Sequence, residues 1–276
     1  SILHVIPVQY SIDGNKGIKS PLGMFGDKLG VEISIISADQ NVLKNFKNVV
    51  KQCDLEIENI IYTPYAIGLT LLSEEEKELG VALLDIGSTL SSLSIFYNGA
   101  ILYTKIIPLG GNMITTDISR IFSLSILDSE RIKIINGQLI EELEHSLSII
   151  EVEALGNDND SVEITRKDLI AVIKPRVKEI INAIKDELLE NRYNHLIANR
   201  VVITGGAAQM DGLIDVTSKL LDKKGRLGKA DTIKGIPDNM RNSSFTAINS
   251  LLNYSMINHN DISLNNNKKN NNSEGV

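Results

Sequence analysis

Apolar positions along this chain change period several times, and each change marks an element. "ILHVIPVQYSID" (2–13) places β-branched and apolar residues on an approximate alternation and breaks at the Gly- and Pro-rich "DGNKGIKSPLG". That predicts a strand followed by a loop. "VEISIIS" (31–37) is a clearer strand. Asp39 then stands at a helix N-cap position, and Val42, Phe46, Val49 and Val50 form an apolar stripe running to Cys53. "IENIIYTP" reads as another strand, stopped by Pro64. Residues 1–62 are therefore expected to form a small β-β-α-β unit of α+β type.

A short helix is predicted over Tyr65–Leu72, and the acidic run Glu74-Glu75-Glu76 reads as a solvated turn. "GVALLDIG", "SSLSIFYN" and "AILYTKIIPL" read as three consecutive strands, with a tight turn at Asn98-Gly99. Helices are expected at about Asn112–Phe122 and Asp128–Ile135, the latter stopping near Gly137. Residues 138–164 are weakly patterned, with short strands at "SIIEVEAL" and "SVEIT". Thr165 and Asp168 resemble a capping box. Leu169, Ile173, Val177, Ile180, Ile184 and Leu188 then recur every three or four residues, as on a long helix packed on one face. Pro175 is expected to kink that helix or mark its start. "RVVITGG" is a buried strand, "MDGLIDVTSKLL" the helix after it, and "NSSFTAINSLLNYS" the last helix. From Met256 Asn dominates and apolar residues fade, which predicts a disordered tail.

Composition narrows the class. The 276 residues are 42% hydrophobic and 23% charged, as in ordinary globular proteins. A net charge of -7 argues against nonspecific nucleic-acid binding, which needs a positive field. One cysteine, Cys53, excludes an intramolecular disulfide framework; its place on the apolar side of a helix suggests packing. No apolar run approaches the ~20 residues of a spanning helix. Neither an initiator Met nor a leader precedes Ser1, so the sequence reads as a fragment whose natural start lies upstream. His4, His145, His195 and His259 are too scattered for a metal site with local spacing.

Three strand-to-turn junctions carry the candidate chemistry. Asp85-Ile86-Gly87 leads into Ser88, Thr89, Ser91 and Ser92. A tight turn with convergent N–H groups forms an anion nest, hydroxyls add donors, and the Asp can orient water or hydrated Mg²⁺. An ordinary small-residue hairpin fits the same pattern. In "VVITGGAAQMDGL" a buried strand delivers Gly205-Gly206 to the start of a helix, where backbone can approach a ligand. Tight packing alone fits this too. Gly110-Gly111 after "IIPL" is a third such junction. Glu130 and Lys133 lie one helical turn apart, which by itself suggests an exposed ion pair.

Taken in order, these junctions resemble the second half of actin-like ATPases. "LHVIPVQYSIDGNKGIKSPLGM", "PLGGNMITTDIS", "SERIKIINGQ", "VIKPRVKEII" and "VVITGGAAQMDGL" closely resemble the FtsA family of actin-like bacterial cell-division proteins, over residues 1–255. The resemblance implies an α/β, actin-like (ribonuclease H-like) ATPase fold, partial here, with the β-β-α-β unit as an insertion. It implies insertion subdomain 1C at 1–62, a linking helix of 1A at 63–78, and subdomain 2A with the second phosphate hairpin at 79–140. Subdomain 2B follows at 141–197, 2A with the adenosine motif at 198–240, and a closing helix of 1A at 241–255.

It further implies ATP with Mg²⁺ as cofactor. Asp85, Gly87, Ser88 and Thr89 match the second phosphate motif, and Gly110 and Gly111 are expected to bind nucleotide with them. Glu130 and Lys133 match the pair that reaches the nucleoside, and Gly205, Gly206 and Ala207 the adenosine motif. Implied partners are the C-terminal peptide of the tubulin-like FtsZ, docking on 141–197 near Arg176, further copies in an actin-like polymer, and later division proteins through 1–62. The implied role is an adaptor tethering FtsZ filaments to the cytoplasmic membrane face, with slow turnover if any. An actin-fold chaperone or sugar kinase, and a scaffold that no longer binds nucleotide, are the alternatives. The family pattern D-x-G-x-G-T-T reads D-I-G-S-T-L-S here. Thr89 replaces a glycine and Leu90 a hydroxyl, which predicts weakened ATP binding. The family's first phosphate hairpin and its amphipathic membrane helix are not in the sequence.

Overall fold

The computed structural model describes residues 1–140, 148–153, 161–229 and 234–256. The chain opens with β1 (Ile2–Ile12), β2 (Asn15–Ile18) and β3 (Leu29–Ser37), an antiparallel sheet ordered β2-β1-β3. The stretch read as a loop contains β2. Asp13 (φ 50) and Gly14 (φ 88) turn the chain with positive φ, as Asp-Gly does in tight hairpins. α1 (Gln40–Gln52) follows, its first amides bonded by the Asp39 carboxylate. Its predicted stripe forms, but Val42, Phe46 and Val49 are exposed, and so is Cys53, which was expected to pack. The strand expected at "IENIIYTP" does not form, so the insertion runs β-β-β-α. The Tyr62 N–H bonds the His4 imidazole instead of a ladder carbonyl.

α2 (Thr63–Leu71) leads into α3 (Glu74–Leu79). The acidic run is thus a helix, because Ser73 and Glu76 form a reciprocal capping box. β4 (Val81–Ile86), β5 (Ser91–Tyr97) and β6 (Ala100–Ile107) form an antiparallel meander. α4 (Gly111–Phe122) and α5 (Ile126–Asn136) come next. β7 (Ile149–Glu153) and β8 (Ser161–Thr165) pair as a separate ribbon. α6 (Arg166–Glu190) then runs unbroken through Pro175. Its start is set by the Thr165 cap and by the burial of Leu169, Ile170 and Ile173, which outweigh the one backbone bond that proline removes. β9 (Arg200–Thr204), α7 (Leu213–Leu221), β10 (Lys224–Leu227) and α8 (Thr246–Met256) complete the order. β10 was not expected; it is a polar edge strand, parallel to β9. Met256 closes α8, and the predicted tail beyond it lies outside the described residues.

The main sheet is ordered β10-β9-β4-β5-β6. Numbered by appearance within the sheet, the order is 3-2-1-4-5 read from β6. Both faces are covered. Leu84, Ile86, Leu93 and Ile95 point into one core with Ile114, Ile173, Ile180 and Leu213 from α4, α6 and α7. Val81, Leu83, Phe96 and Val202 point into another with Tyr65 and Ile67 of α2 and Ile6 and Ile36 of the insertion. Two-sided burial explains why these strands read as continuous apolar runs.

Candidate functional site

The β4–β5 turn is where the candidate residues gather. The Gly87 N–H donates to the Leu90 carbonyl at 3.0 Å and closes a four-residue loop. Ser88, Thr89 and Leu90 are exposed, and among the described residues their backbone N–H groups have no partner within the chain. Thr89 lies outside the positive-φ region, so its β-carbon costs no backbone strain.

Gly110 and Gly111 buttress this loop from behind. The Gly111 N–H donates to Gly87 O at 2.9 Å and the Asn112 N–H to Ser88 O at 2.7 Å. A β-carbon on Gly110 would lie 2.6 Å from Ser88 O. The first amides of α4 are therefore spent on loop carbonyls, and these glycines shape the loop from beneath.

Asp85, one residue before the end of β4, lies beside the β9 turn. A β-carbon on Gly205 (φ 94) would sit 2.5 Å from the Asp85 Oδ1 and 2.4 Å from Ile86 O, so only glycine fits there. Burial pushes the Asp85 carboxyl pKa up. Asp85 also lines a cleft of about 300 Å³ with Leu90, Ser91, Ser92, Tyr62, Thr63 and Pro64. The residues Gly206–Gln209 form a 3-10 turn, and α7 starts only at Leu213. The two glycines thus enter a turn and not a helix N-terminus. Ser244 and Gln209, which sequence reasoning missed, hydrogen-bond across this turn. No motif signals them, because 35 residues separate the pair.

Glu130 and Lys133 do pair, at 2.6 Å, but not as an exposed pair. The Lys133 Nζ also donates to Thr115 Oγ1 at 2.9 Å and Gly111 O at 3.3 Å. Its three donors are thereby used within the chain, which ties α5 to the start of α4. Burial raises the Glu130 pKa, but the bonds from Lys133 and Thr115 outweigh it and hold the carboxyl below its usual range. Arg176 of α6 is bidentate to Asp117 of α4, at 2.6 and 3.0 Å, and also reaches Glu179 at 2.5 Å. Asp117 chiefly raises its pKa, so it stays charged.

Among the described residues no group of three or more His, Cys, Asp or Glu side chains is placed to hold a metal. Mg²⁺ differs in needing one or two carboxylates, with phosphate oxygens and water supplying the rest. Asp85, a partly buried carboxylate on whose ionisation no cation or hydrogen bond acts among the described residues, fits that requirement.

A 3-2-1-4-5 sheet with a phosphate-type turn after its first strand and a Gly-Gly turn after its fourth defines an actin-like ATPase fold. Solved structures agree. MreB5 of Spiroplasma citri bound to ADP aligns at a TM-score of 0.65 and 16% identity, over 79% of this chain and 66% of that one. The PilM-PilN type IV pilus biogenesis complex aligns at 0.63 and 17%, over 90% and 65%. Sequence relatives are more specific. A family model described as "Cell division protein FtsA" matches residues 82–250, and one described as "SHS2 domain inserted in FTSA" matches 1–37. The chain is 32% identical over 259 residues to cell division protein FtsA of Agrobacterium fabrum, covering 93% of this chain and 58% of that protein. It is 31% identical over 265 residues to the Escherichia coli protein of the same name, covering 94% and 63%. The chain belongs to the FtsA family of cell division proteins. It spans about three fifths of the length of these relatives.

Proposed function

We propose that the β4–β5 loop and the β9 turn bind the phosphates and nucleoside of ATP, in an actin-like adaptor of bacterial cell division. The observation that carries this is the loop itself. Three consecutive exposed amides, Ser88 to Leu90, are unspent, while the carbonyls of Gly87 and Ser88 are tied down from behind. Loop dipoles so fixed present N–H groups outward, which suits an anion. Asp85 stands beside them as the acceptor for metal-bound water. Mg²⁺, when bound, would neutralise phosphate charge. Gly205 and Gly206 allow close approach of a nucleoside.

In this reading Gly110, Gly111 and Lys133 shape the site and do not touch nucleotide; Glu130 keeps one oxygen for it. Thr89 and Leu90 weaken binding, one by bulk and one by offering no hydroxyl. The protein works at the cytoplasmic membrane face, linking FtsZ filaments to it and self-associating into polymers. Family membership supports this, and the fold shared with a MamK double helical filament is consistent with self-association. FtsZ's C-terminal peptide docks near Arg176, where an acidic peptide group competes with Asp117. No described helix is long and apolar enough to cross a membrane. The test is calorimetric titration with ATP and Mg²⁺. Saturable binding weaker than micromolar is expected, and Asp85→Asn should abolish its Mg²⁺ dependence. Absence of binding, or ordinary micromolar affinity, would sink the respective half of this reading.

A further inference from the structure

His4 lies inside β1 and is only 5% exposed. Its Nε2 accepts the backbone N–H of Tyr62 at 2.9 Å. The imidazole meets the Tyr65 ring at a centroid distance of 5.0 Å and the Tyr254 ring at 6.3 Å, and the two tyrosines meet at 6.1 Å. Three elements converge here: β1 of the insertion, α2, and α8.

Tyr62 is the N-cap of α2. Its carbonyl accepts from the N–H groups of Tyr65 and Ala66 at 3.1 and 3.2 Å, which starts the helix. The Tyr62 residue is therefore held at its N–H by the insertion and at its C=O by α2. Its phenol bonds Thr104 Oγ1 at 2.8 Å, and Thr104 reaches Ser94 Oγ at 3.1 Å. Tyr62, Thr63 and Pro64 also form the wall of the cleft that faces Asp85 and Leu90.

We propose that His4 is a positioning residue, whose Nε2 lone pair clasps Tyr62 so that the insertion subdomain sets the cleft wall opposite Asp85. The bond requires an unprotonated Nε2, so the neutral ring carries its proton on Nδ1. An apolar ring of similar size fills the space but leaves the Tyr62 amide without its partner. Movement of the insertion then reaches the cleft through one residue. The link to nucleotide rests on the proposed function above; the clasp itself does not.

The test uses the chain without nucleotide. ¹⁵N NMR should show a pyridine-type Nε2 on His4. His4→Phe should speed amide exchange at Tyr62 by at least about tenfold, and also speed it in β5 at Ser91 and Ser92 across the cleft. His4→Gln, whose Oε1 can stand in for Nε2, should restore both. A protonated Nε2, or unchanged exchange at Tyr62, overturns the clasp. Faster exchange confined to residues 62–66 overturns the coupling to the cleft. If His4→Phe fails to fold, the nitrogen signature and the His4→Gln exchange pattern still decide. Failure of ATP to bind, with these exchange changes intact, would count against the nucleotide reading alone.

Discussion

Adjacent glycines at the head of α4 should respond in opposite ways to the same substitution. In Gly110→Ala the new β-carbon meets Ser88 O at 2.6 Å, where ordinary contact begins at 3.4 Å, so the loop must withdraw by about 0.8 Å. The obstacle is backbone and cannot rotate away. That withdrawal disrupts the Gly111 N–H to Gly87 O and Asn112 N–H to Ser88 O bonds, at 2.9 and 2.7 Å. Each is worth about 1 kcal/mol net, with more lost if an amide is left buried and unpaired. The expected destabilisation is about 2–4 kcal/mol, which lowers Tm by roughly 5–15 °C for a domain of this size. In Gly111→Ala the nearest atoms are Gly87 O and the Lys133 Nζ, both at 3.6 Å, which is ordinary contact. The residue is helical, so alanine should be neutral or stabilise by up to about 1 kcal/mol. Thermal unfolding by circular dichroism measures both. A Gly110→Ala protein melting within about 1 °C of the parent, or a Gly111→Ala protein falling as far as Gly110→Ala, would refute the buttress.

Glu76 is held below its usual pKa by its bonds to Arg226, so its stabilisation is present above the ordinary carboxylate range and lost as pH falls through the folded value. Glu76→Gln should cost about 1–2 kcal/mol at neutral pH, a figure discounted because Arg226 is half exposed, and should flatten the acid limb of a Tm-against-pH profile; an unchanged limb contradicts this. Asp85 has the opposite sign: its raised pKa makes the ionised form a penalty that appears as pH rises from the ordinary carboxylate range through the folded value. Asp85→Asn should therefore melt higher than the parent at neutral pH, and a lower Tm would show an unrecognised partner. Arg176→Glu places three carboxylates together, with Asp117 and Glu179, and should lower stability by about 1–3 kcal/mol as well as abolish FtsZ-peptide binding. Adding Asp117→Lys should restore Tm without restoring the peptide, and intact peptide binding in Arg176→Glu would remove that contact.

Legibility followed the range of the forces. The Thr165–Asp168 cap, the Asn98-Gly99 turn and the α6 stripe were all readable, because each depends on residues a few positions apart. The acidic run is an exception: its Ser73–Glu76 capping box is local and could have been read, and only the pairing of Glu76 with Arg226, 150 residues away, is out of reach of the sequence. The edge strand β10 was missed because its sequence is polar, and only the carbonyls of β9 make it a strand. "IENIIYTP" has strand composition but no ladder to join. The role of Gly110 was invisible for the same reason: the atom it avoids is Ser88 O, which only folding brings near.

By itself the sequence determined the family, the apolar strands of the main sheet and the three Gly-bearing turns, because local propensity and motif order survive without knowledge of contacts. Only the tertiary structure decided what each turn does. It spent the first α4 amides on the β4–β5 loop, closed Lys133 into the helix packing, joined Arg176 to Asp117, and among the described residues set no counter-charge beside Asp85. These outcomes are set by through-space distances of a few ångströms between residues far apart in the chain, and by which polar groups remain unpaired once the core has formed.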